Sequence, residues 1–268
     1  MGTTIWQVDA FTSTPFAGNP AGVCVLAAPR EAAWMQQVAR EMNCSETAFL
    51  HPQPEGYALR WFTPTHEVDL CGHATLASAH VLWEDGHCGP DEQVAFQTSS
   101  GLLTAERRDG WIAMQFPEES AEPVERVPDV LADALGVAPT YVGRNRMDWL
   151  VGVDRAEAVR ELSPDLARLA TLEARGVIVT APSAARRDYD FVSRFFAPQV
   201  GVPEDPVTGS AHCCLGPYWA ERLGRSQLVG RQVSARGGTV RVDVSEGPAD
   251  QLRLAGQAVT TLQAELVV

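Results

Sequence analysis

Hydrophobic and polar residues alternate along much of the chain, as they do in β-strands that bury one face. The alternation starts in "TIWQVDAF" and returns in "YALRWFTP", "TYVGRNRMDWLVGV", "DYDFVSRFFAP" and "TVRVDV". A Pro/Gly turn after the first strand leads into "AGVCVLAA", which predicts a hairpin-like start. The centre "RDG" of "GLLTAERRDGWIAMQF" predicts a second hairpin, and "GVIVTAP" predicts a buried strand.

Other segments have helical spacing. Residues 29–42 place Trp34, Val38 and Met42 on one face, with Pro29 in the first turn. The stretch "VDLCGHATLASAHVLWEDG", residues 68–86, predicts an apolar helix after its Cys-Gly-His start. Helical structure is also predicted in "VPDVLADALG", "RAEAVRELSPDLARLA" and "GSAHCCLGPYWAERLG". The mixture of strands and helices predicts an α+β fold.

An internal repeat organises these elements. The segment "RWFTP", residues 60–64, is echoed by "RFFAP", residues 194–198. Each copy is followed by a short acidic stretch and then by a glycine, Gly72 or Gly209, that is predicted to open a helix. Both helices are predicted to end at a glycine, Gly86 or Gly224.

The repeat predicts two pseudo-symmetric lobes, each a mixed β-sheet or barrel wrapped around a central helix. We assign residues 1–117 to the N-terminal lobe, to which a strand at about residues 256–268 can return, and residues 118–268 to the C-terminal lobe. The acidic, proline-bearing "PEESAEPVERVP" is the linker candidate. A pseudo-twofold axis would bring the two helix N-termini to one interdomain cleft, where their N–H groups and dipoles can hold a carboxylate or an enolate.

Composition excludes several classes of protein. The net charge of -13 disfavours nucleic acid as a partner, and all 21 basic residues are arginine. Without lysine there is no Schiff-base lysine and no lysine of a P-loop, and no dinucleotide-binding glycine motif is present. The sequence has no long apolar run, no signal peptide pattern and only six cysteines, so we expect a soluble cytoplasmic protein without a membrane partner.

The Cys-Gly-His at residues 71–73 has three interpretations from the residues alone: a zinc ligand pair, a nucleophile with its base, or the turn that starts a helix. The chain lacks the closed four-ligand spacing of structural zinc sites and the His-Glu-x-x-His of metalloproteases. We therefore expect no metal.

Four motifs in order resemble the PhzF-like family, named for phenazine biosynthesis. They are "QVDAFTSTPFAGNPAGVCVL", "MNCSETAFL", "RWFTPTHEVDLCGHATLASAHVL" and "RFFAPQVGVPEDPVTGSAH". The family shares its two-domain fold with diaminopimelate epimerase and the proline racemases. The resemblance implies an isomerase without a cofactor that moves a proton on a small carboxylated substrate, and it implies a possible homodimer.

Matched motif by motif, the resemblance implies a catalytic role for Glu46 as the proton shuttle, and also for His73 and Asp205. It implies substrate binding by Ser45, Gly72, Gly209 and Ser210. A carboxyl group drawn into a cleft has its proton affinity raised, which suits Glu46 to taking and returning a proton. The helix dipole disfavours the protonated form of His73, which then serves as a neutral donor or relay.

Cys71 and Asn19 are assigned structural roles first. Epimerases of this fold that use two thiols have a cysteine before each helix, whereas the second slot here is Thr208. Cys213 and Cys214 lie a turn inside the helix, so a symmetric two-cysteine epimerase is not indicated. The leading hypothesis is therefore isomerisation through Glu46. The alternatives are an epimerase or racemase of a small carboxylate, and a relative that binds a small acid or a protein partner without catalysis.

Overall fold

The computed structural model describes residues 2–183, 188–245 and 250–267. The chain divides into two compact units. Unit 1 contains residues 1–115 and 255–268, and unit 2 contains residues 116–254. Both units combine strands and helices, which confirms the α+β class. None of the helices in the described part of the chain is both long enough and apolar enough to cross a membrane.

Unit 1 is a mixed sheet with two helices. Its elements in chain order are β1 (Thr3–Ala10), β2 (Asn19–Val25), α1 (Ala32–Met42), β3 (Glu46–Gln53), β4 (Gly56–Phe62), β5 (Glu67–Val68), α2 (Gly72–Glu84), β6 (Val94–Thr98), β7 (Gly101–Arg108) and β8 (Trp111–Pro117), whose last residues reach the unit boundary. β1 is antiparallel to β2, and β7 is antiparallel to β8, which confirms both predicted hairpins. β2 runs parallel to β3, and β3 is antiparallel to β4.

The helix α2 forms the core of unit 1. Every side chain from His73 to Trp83 is buried, as expected for a helix that is apolar on all sides. It packs on β1, β2 and β3. α1 instead buries one face, with Met35, Val38 and Ala39 inside. Because α2 is enclosed along its length, His73, Ala74 and Thr75 of its first turn are buried as well.

Unit 2 repeats this organisation with more elements. They are β9 (Glu122–Pro123), α3 (Asp129–Leu135), β10 (Tyr141–Arg144), β11 (Asp148–Gly152), α4 (Ala156–Arg160), α5 (Leu166–Leu169), β12 (Gly176–Pro182), β13 (Phe191–Ala197), β14 (Val202–Asp205), α6 (Gly209–Leu223), β15 (Gln227–Gln232), β16 (Gly238–Asp243) and β17 (Gln251–Gly256). The last strand of the chain, β18 (Ala258–Leu266), belongs to unit 1, where it pairs antiparallel with β1 and contacts α2. α6 packs on β15 and β16 and buries most of its residues.

Three sequence predictions differ from the structure. α1 begins at Ala32 rather than Pro29, because Glu31 at the N-cap position has an extended backbone. The segment "RAEAVRELSPDLARLA" forms two short helices, since Pro164 disfavours helical backbone before it and Asp165 starts α5 by accepting the N–H of Arg168.

The third difference concerns the linker candidate, residues 117–128. Glu122 and Pro123 form β9 and pair with β10, and the N–H of Glu119 donates to the carbonyl of Cys213. Glu118 also donates its N–H, to the carbonyl of Asp250. These backbone bonds make the segment part of unit 2 instead of a free connection.

Candidate active site

The Cys-Gly-His of the sequence is the start of α2. Gly72 is the first helical residue, which confirms the predicted opening glycine, and Cys71 is the N-cap with an extended backbone. The Cys71 side chain makes no capping hydrogen bond, whereas its carbonyl accepts the hydroxyl of Thr75 at 2.7 Å. The first N–H groups of a helix have no partner within the helix, so this end attracts negative charge.

A buried cluster of polar side chains surrounds this helix start. Glu46 begins β3, Ser45 precedes it, and Asn19 begins β2, the strand that lies parallel to β3. His73 projects from the first turn of α2 towards them. Its Nε2 atom lies 3.3 Å from Oε2 of Glu46, without the alignment of a regular hydrogen bond. The side chain of His73 is 8% exposed and that of Glu46 is 20% exposed, so Glu46 is the member that solvent reaches.

The second ring nitrogen of His73 faces different groups. Nδ1 lies 3.4 Å from Nδ2 of Asn19 and 3.4 Å from Sγ of Cys71. The hydroxyl of Ser45 donates to Oδ1 of Asn19 at 3.3 Å. Ser45, Asn19, His73 and Glu46 therefore form one connected chain of polar side chains within unit 1.

His73 is neutral in this environment. Burial away from water lowers the pKa of His73 to about 4. From the sequence, a neutral imidazole was expected because of the helix dipole, whereas its physical cause in the structure is desolvation. A neutral imidazole carries one proton on one of its nitrogens and a lone pair on the other.

Glu46, Cys71 and His73 also carry potential metal ligand atoms within 4.8 Å of one another. However, Cys71 lies against Nδ1 of His73, and Glu46 lies against Nε2. These contacts place a carboxylate beside one ring nitrogen and a thiol beside the other, an arrangement that also suits proton transfer.

Unit 2 has a corresponding helix start at α6. Gly209 is its first residue, again as predicted, and Thr208 is the N-cap. The hydroxyl of Thr208 donates to the carboxylate of Asp205, the last residue of β14. The fully buried Gln232 holds this loop, since it accepts the N–H of Thr208 at 2.9 Å and donates to the carbonyl of Asp205 at 2.7 Å. Gln232 was not identified from the sequence.

Ser210, the second residue of α6, contacts an ion pair that was not identified from the sequence. Arg175 donates through Nη2 to Oγ of Ser210 at 3.0 Å. The same guanidinium donates through Nε to the buried carboxylate of Asp148 at 3.0 Å and through Nη2 to its second oxygen. Within the described part of the chain, Nη1 of Arg175 has no hydrogen-bond partner, and the side chain is 31% exposed. Unit 2 therefore presents a cationic group beside a helix N-terminus.

The thiols of α6 are poor nucleophiles. Burial raises the pKa of Cys213 above the usual range of a thiol and raises the pKa of Cys214 to about 12.

The internal repeat has a structural counterpart in each unit. Arg60 of β4 makes two hydrogen bonds of 2.7 Å to Glu67, which begins β5. Arg194 of β13 makes the same paired contact with Glu204 of β14, at 2.7 and 2.9 Å. Each arginine also lies over a phenylalanine two residues later in its own strand. We call these two contacts the arginine clasps; each fixes the short strand that leads to a helix start.

A separate cavity of about 570 Å³ lies in unit 2. Arg160, Arg231 and Arg236 line it together with Tyr189. Arg160 donates to the hydroxyl of Tyr189 at 2.7 Å, and Arg231 donates to Thr239 at 3.0 Å. None of the residues assigned to the site from the sequence lines this cavity.

Comparisons with known proteins agree with the resemblance. Residues 8–264 match the model of the PhzC-PhzF family, described as "Phenazine biosynthesis-like protein". An uncharacterized isomerase of Halalkalibacterium halodurans is 53% identical over 268 residues, which is 100% of both chains. The crystal structure of a PhzF family protein from Enterococcus faecalis has a TM-score of 0.94 and 38% identity, covering 100% of both chains.

A more distant structure shares the fold alone. A probable proline racemase from Agrobacterium radiobacter has a TM-score of 0.64 at 13% identity, covering 99% of this chain and 93% of that one. The fold predicted from the resemblance is therefore confirmed. With the family match extending over nearly the whole sequence, the chain belongs to the phenazine biosynthesis-like PhzC-PhzF family.

Proposed function

We propose that this protein is an isomerase without a cofactor, in which Glu46 moves a proton on a small carboxylated substrate. The observation that carries the proposal is the contact between Glu46, partly exposed to solvent, and the neutral, buried His73. A reachable carboxylate beside a fixed imidazole is the arrangement that general acid/base chemistry needs. The isomerase name of the Halalkalibacterium relative supports the same reaction class.

The proposed reaction needs no other reactant. The ionised carboxylate of Glu46 takes a proton from a carbon next to a carbonyl or a conjugated system. The electron pair left behind spreads over that system, and the carboxylic acid of Glu46 then returns the proton to a second carbon. Donors that face the developing negative charge lower the barrier to this step.

The carboxylate of the proposed substrate follows from the resemblance, and unit 2 taken by itself also offers groups that suit an anion. Oγ of Ser210 accepts a hydrogen bond from Arg175, so its own hydrogen remains available to a ligand. Nη1 of Arg175 has N–H groups that the described residues leave unoccupied. Together with the first N–H groups of α6, these donors suit an anion.

Exchange of substrate protons with solvent tests the role of Glu46. Small cyclic and amino-acid-like acids are incubated with the protein in deuterium oxide, and incorporation is followed by NMR and mass spectrometry. We expect Glu46→Gln to lower the exchange rate at least ~10²-fold, the usual contribution of a general acid/base. Glu55→Gln, which changes an exposed acid between β3 and β4 in the same unit, is the matched control and should keep the wild-type rate.

The position of the deuterium separates the reaction types. Deuterium at a carbon from which a double bond has moved supports isomerisation. Deuterium at a stereocentre that inverts would reassign the protein as an epimerase or racemase. Full exchange activity in Glu46→Gln would contradict the assignment of Glu46, and binding without any exchange in the wild type would favour a non-catalytic relative.

A further inference from the structure

The two ring nitrogens of His73 lie in surroundings of opposite character. Nε2 faces a carboxylate oxygen of Glu46 at 3.3 Å. Nδ1 faces the side-chain nitrogen of Asn19 and the sulfur of Cys71, each at 3.4 Å. Because the ring is buried, water does not compete for Nδ1. The groups around each nitrogen therefore decide which of them carries the proton.

The contact with Ser45 agrees with this orientation of the Asn19 amide. Asn19 is fully buried, and its Oδ1 accepts the hydroxyl of Ser45 at 3.3 Å. This leaves the amide nitrogen pointing at Nδ1 of His73. An amide nitrogen is a donor only, and a thiol can also donate. The amide nitrogen of Asn19 can only donate to Nδ1, and it does so when Nδ1 supplies a lone pair; the thiol of Cys71 can then donate to the same nitrogen.

We propose that Asn19 is a positioning residue that fixes His73 in the tautomer with its proton on Nε2 and so presents an N–H donor to Glu46. The partner of a histidine's far nitrogen commonly sets the tautomer of the near one. The Nε2 proton stabilises the ionised, basic form of Glu46. The same proton remains in place as a donor after Glu46 has taken the substrate proton.

The tautomer can be measured without any substrate. In protein labelled with ¹⁵N-histidine, NMR distinguishes a protonated ring nitrogen from one with a lone pair, and the His73 signals are identified by their loss in His73→Gln. We expect Nε2 of wild-type His73 to be protonated and Nδ1 to carry the lone pair at neutral pH. Protonation of Nδ1 in the wild type would overturn the proposal.

Asn19→Asp tests the cause. The substitution keeps the size of the side chain but places an acceptor opposite Nδ1, so we expect the His73 proton to appear on Nδ1. Asn43→Asp makes the same chemical change at the exposed C-cap of α1 and should leave the His73 signals unchanged. An unchanged His73 tautomer in folded Asn19→Asp would contradict a controlling role for Asn19. If this variant does not fold, the wild-type spectrum still decides which ring nitrogen of His73 carries the proton.

The kinetic consequence rests on the proposed function. With the exchange assay, we expect kcat of Asn19→Asp to fall at least ~10-fold, within the range of effects on general acid/base catalysis, while KM changes less. A switched tautomer with wild-type kcat would overturn the contribution of the Nε2 donor. A failure of the proposed function gives a different result. In that case Glu46→Gln retains its exchange activity, whichever tautomer His73 adopts.

Discussion

At the scale of single residues, Arg175 connects a buried charge to the start of α6. Asp148 is 1% exposed and shares the guanidinium of Arg175 with Ser210. A carboxylate buried to this degree needs its cationic partner, because an unpaired charge away from water is costly. The pair therefore supports both the stability of unit 2 and the placement of Ser210.

Removing Arg175 is expected to destabilise the protein through Asp148. We expect Arg175→Gln to lower the free energy of unfolding by about 3–5 kcal/mol, the usual cost of removing one partner of a buried ion pair. The double variant Asp148→Asn/Arg175→Gln should recover much of that loss, since no buried charge then remains. Urea unfolding measures both, with Arg168→Gln at an exposed site as control. A double variant no more stable than Arg175→Gln would contradict this explanation.

The residues of the candidate site differ in how well the sequence revealed them. Glu46 and His73 lie in distinctive short motifs, so the resemblance identified both. Arg175 lies 27 residues after Asp148 and immediately before an apolar strand. A basic residue at the end of a strand is common and does not indicate a functional role. Only the parallel pairing of β11 with β12, with Asp148 opposite Gly176, brings the two side chains together. A contact that depends on strand register is not visible in local sequence.

At the scale of elements, the two arginine clasps offer a comparison within one chain. They have the same chemistry and the same relation to the following helix, but not the same environment. Arg60 and Glu67 are 40% and 41% exposed, whereas Arg194 and Glu204 are 12% and 24% exposed. Water screens the first pair more strongly than the second.

Double-mutant cycles should show this difference directly. We expect a coupling free energy of about 0.2–1 kcal/mol between Arg60 and Glu67, as for exposed pairs. For Arg194 and Glu204 we expect about 1.5–3 kcal/mol, the range of hydrogen bonds to charged groups that are sheltered from water. Each cycle is the control for the other. Equal coupling energies in the two units would mean that burial does not set the strength of the clasps.

Among the elements, the sequence predicted types better than boundaries. Alternation and apolar runs located the main strands, and the glycines located the starts of α2 and α6. The linker candidate begins beside the unit boundary, but it is not a free connection, because Pro123 pairs with the distant Gly143. The helical prediction for residues 155–170 is confirmed in type, but Pro164 divides the segment into two short helices, which the apolar spacing did not reveal.

At the scale of the whole molecule, each unit buries a histidine in its central helix. His212 of α6 is fully buried, and its Nδ1 contacts the carbonyl of Thr208 at 2.8 Å. Desolvation lowers the pKa of His212 to about 4, as it does for His73. In the unfolded chain these imidazoles take up protons near the ordinary value of 6.5. Between pH 6.5 and about 4, the unfolded state therefore binds more protons than the folded state.

Stability should consequently fall as the pH is lowered through this window. We expect a loss of about 3 kcal/mol for each of the two histidines, from the size of the pKa difference. Urea unfolding from pH 7 to 4 measures how steeply the free energy of unfolding falls with pH. This pH dependence should be weaker in His212→Gln than in the wild type. His66→Gln, which changes an exposed histidine, should keep the wild-type slope. The same slope in His212→Gln and in the wild type would contradict the assignment.

The pairing of β1 has a consequence for how the protein is made. β1 lies between β2 and β18, which are separated in the sequence by all of unit 2. During translation, unit 2 leaves the ribosome as one continuous segment. The second edge of β1, in contrast, stays unpaired until residues 258–266 have been synthesised. Until then, the first strand of the nascent protein offers an open edge to other chains, and translation that stops before Ala258 leaves that edge open permanently.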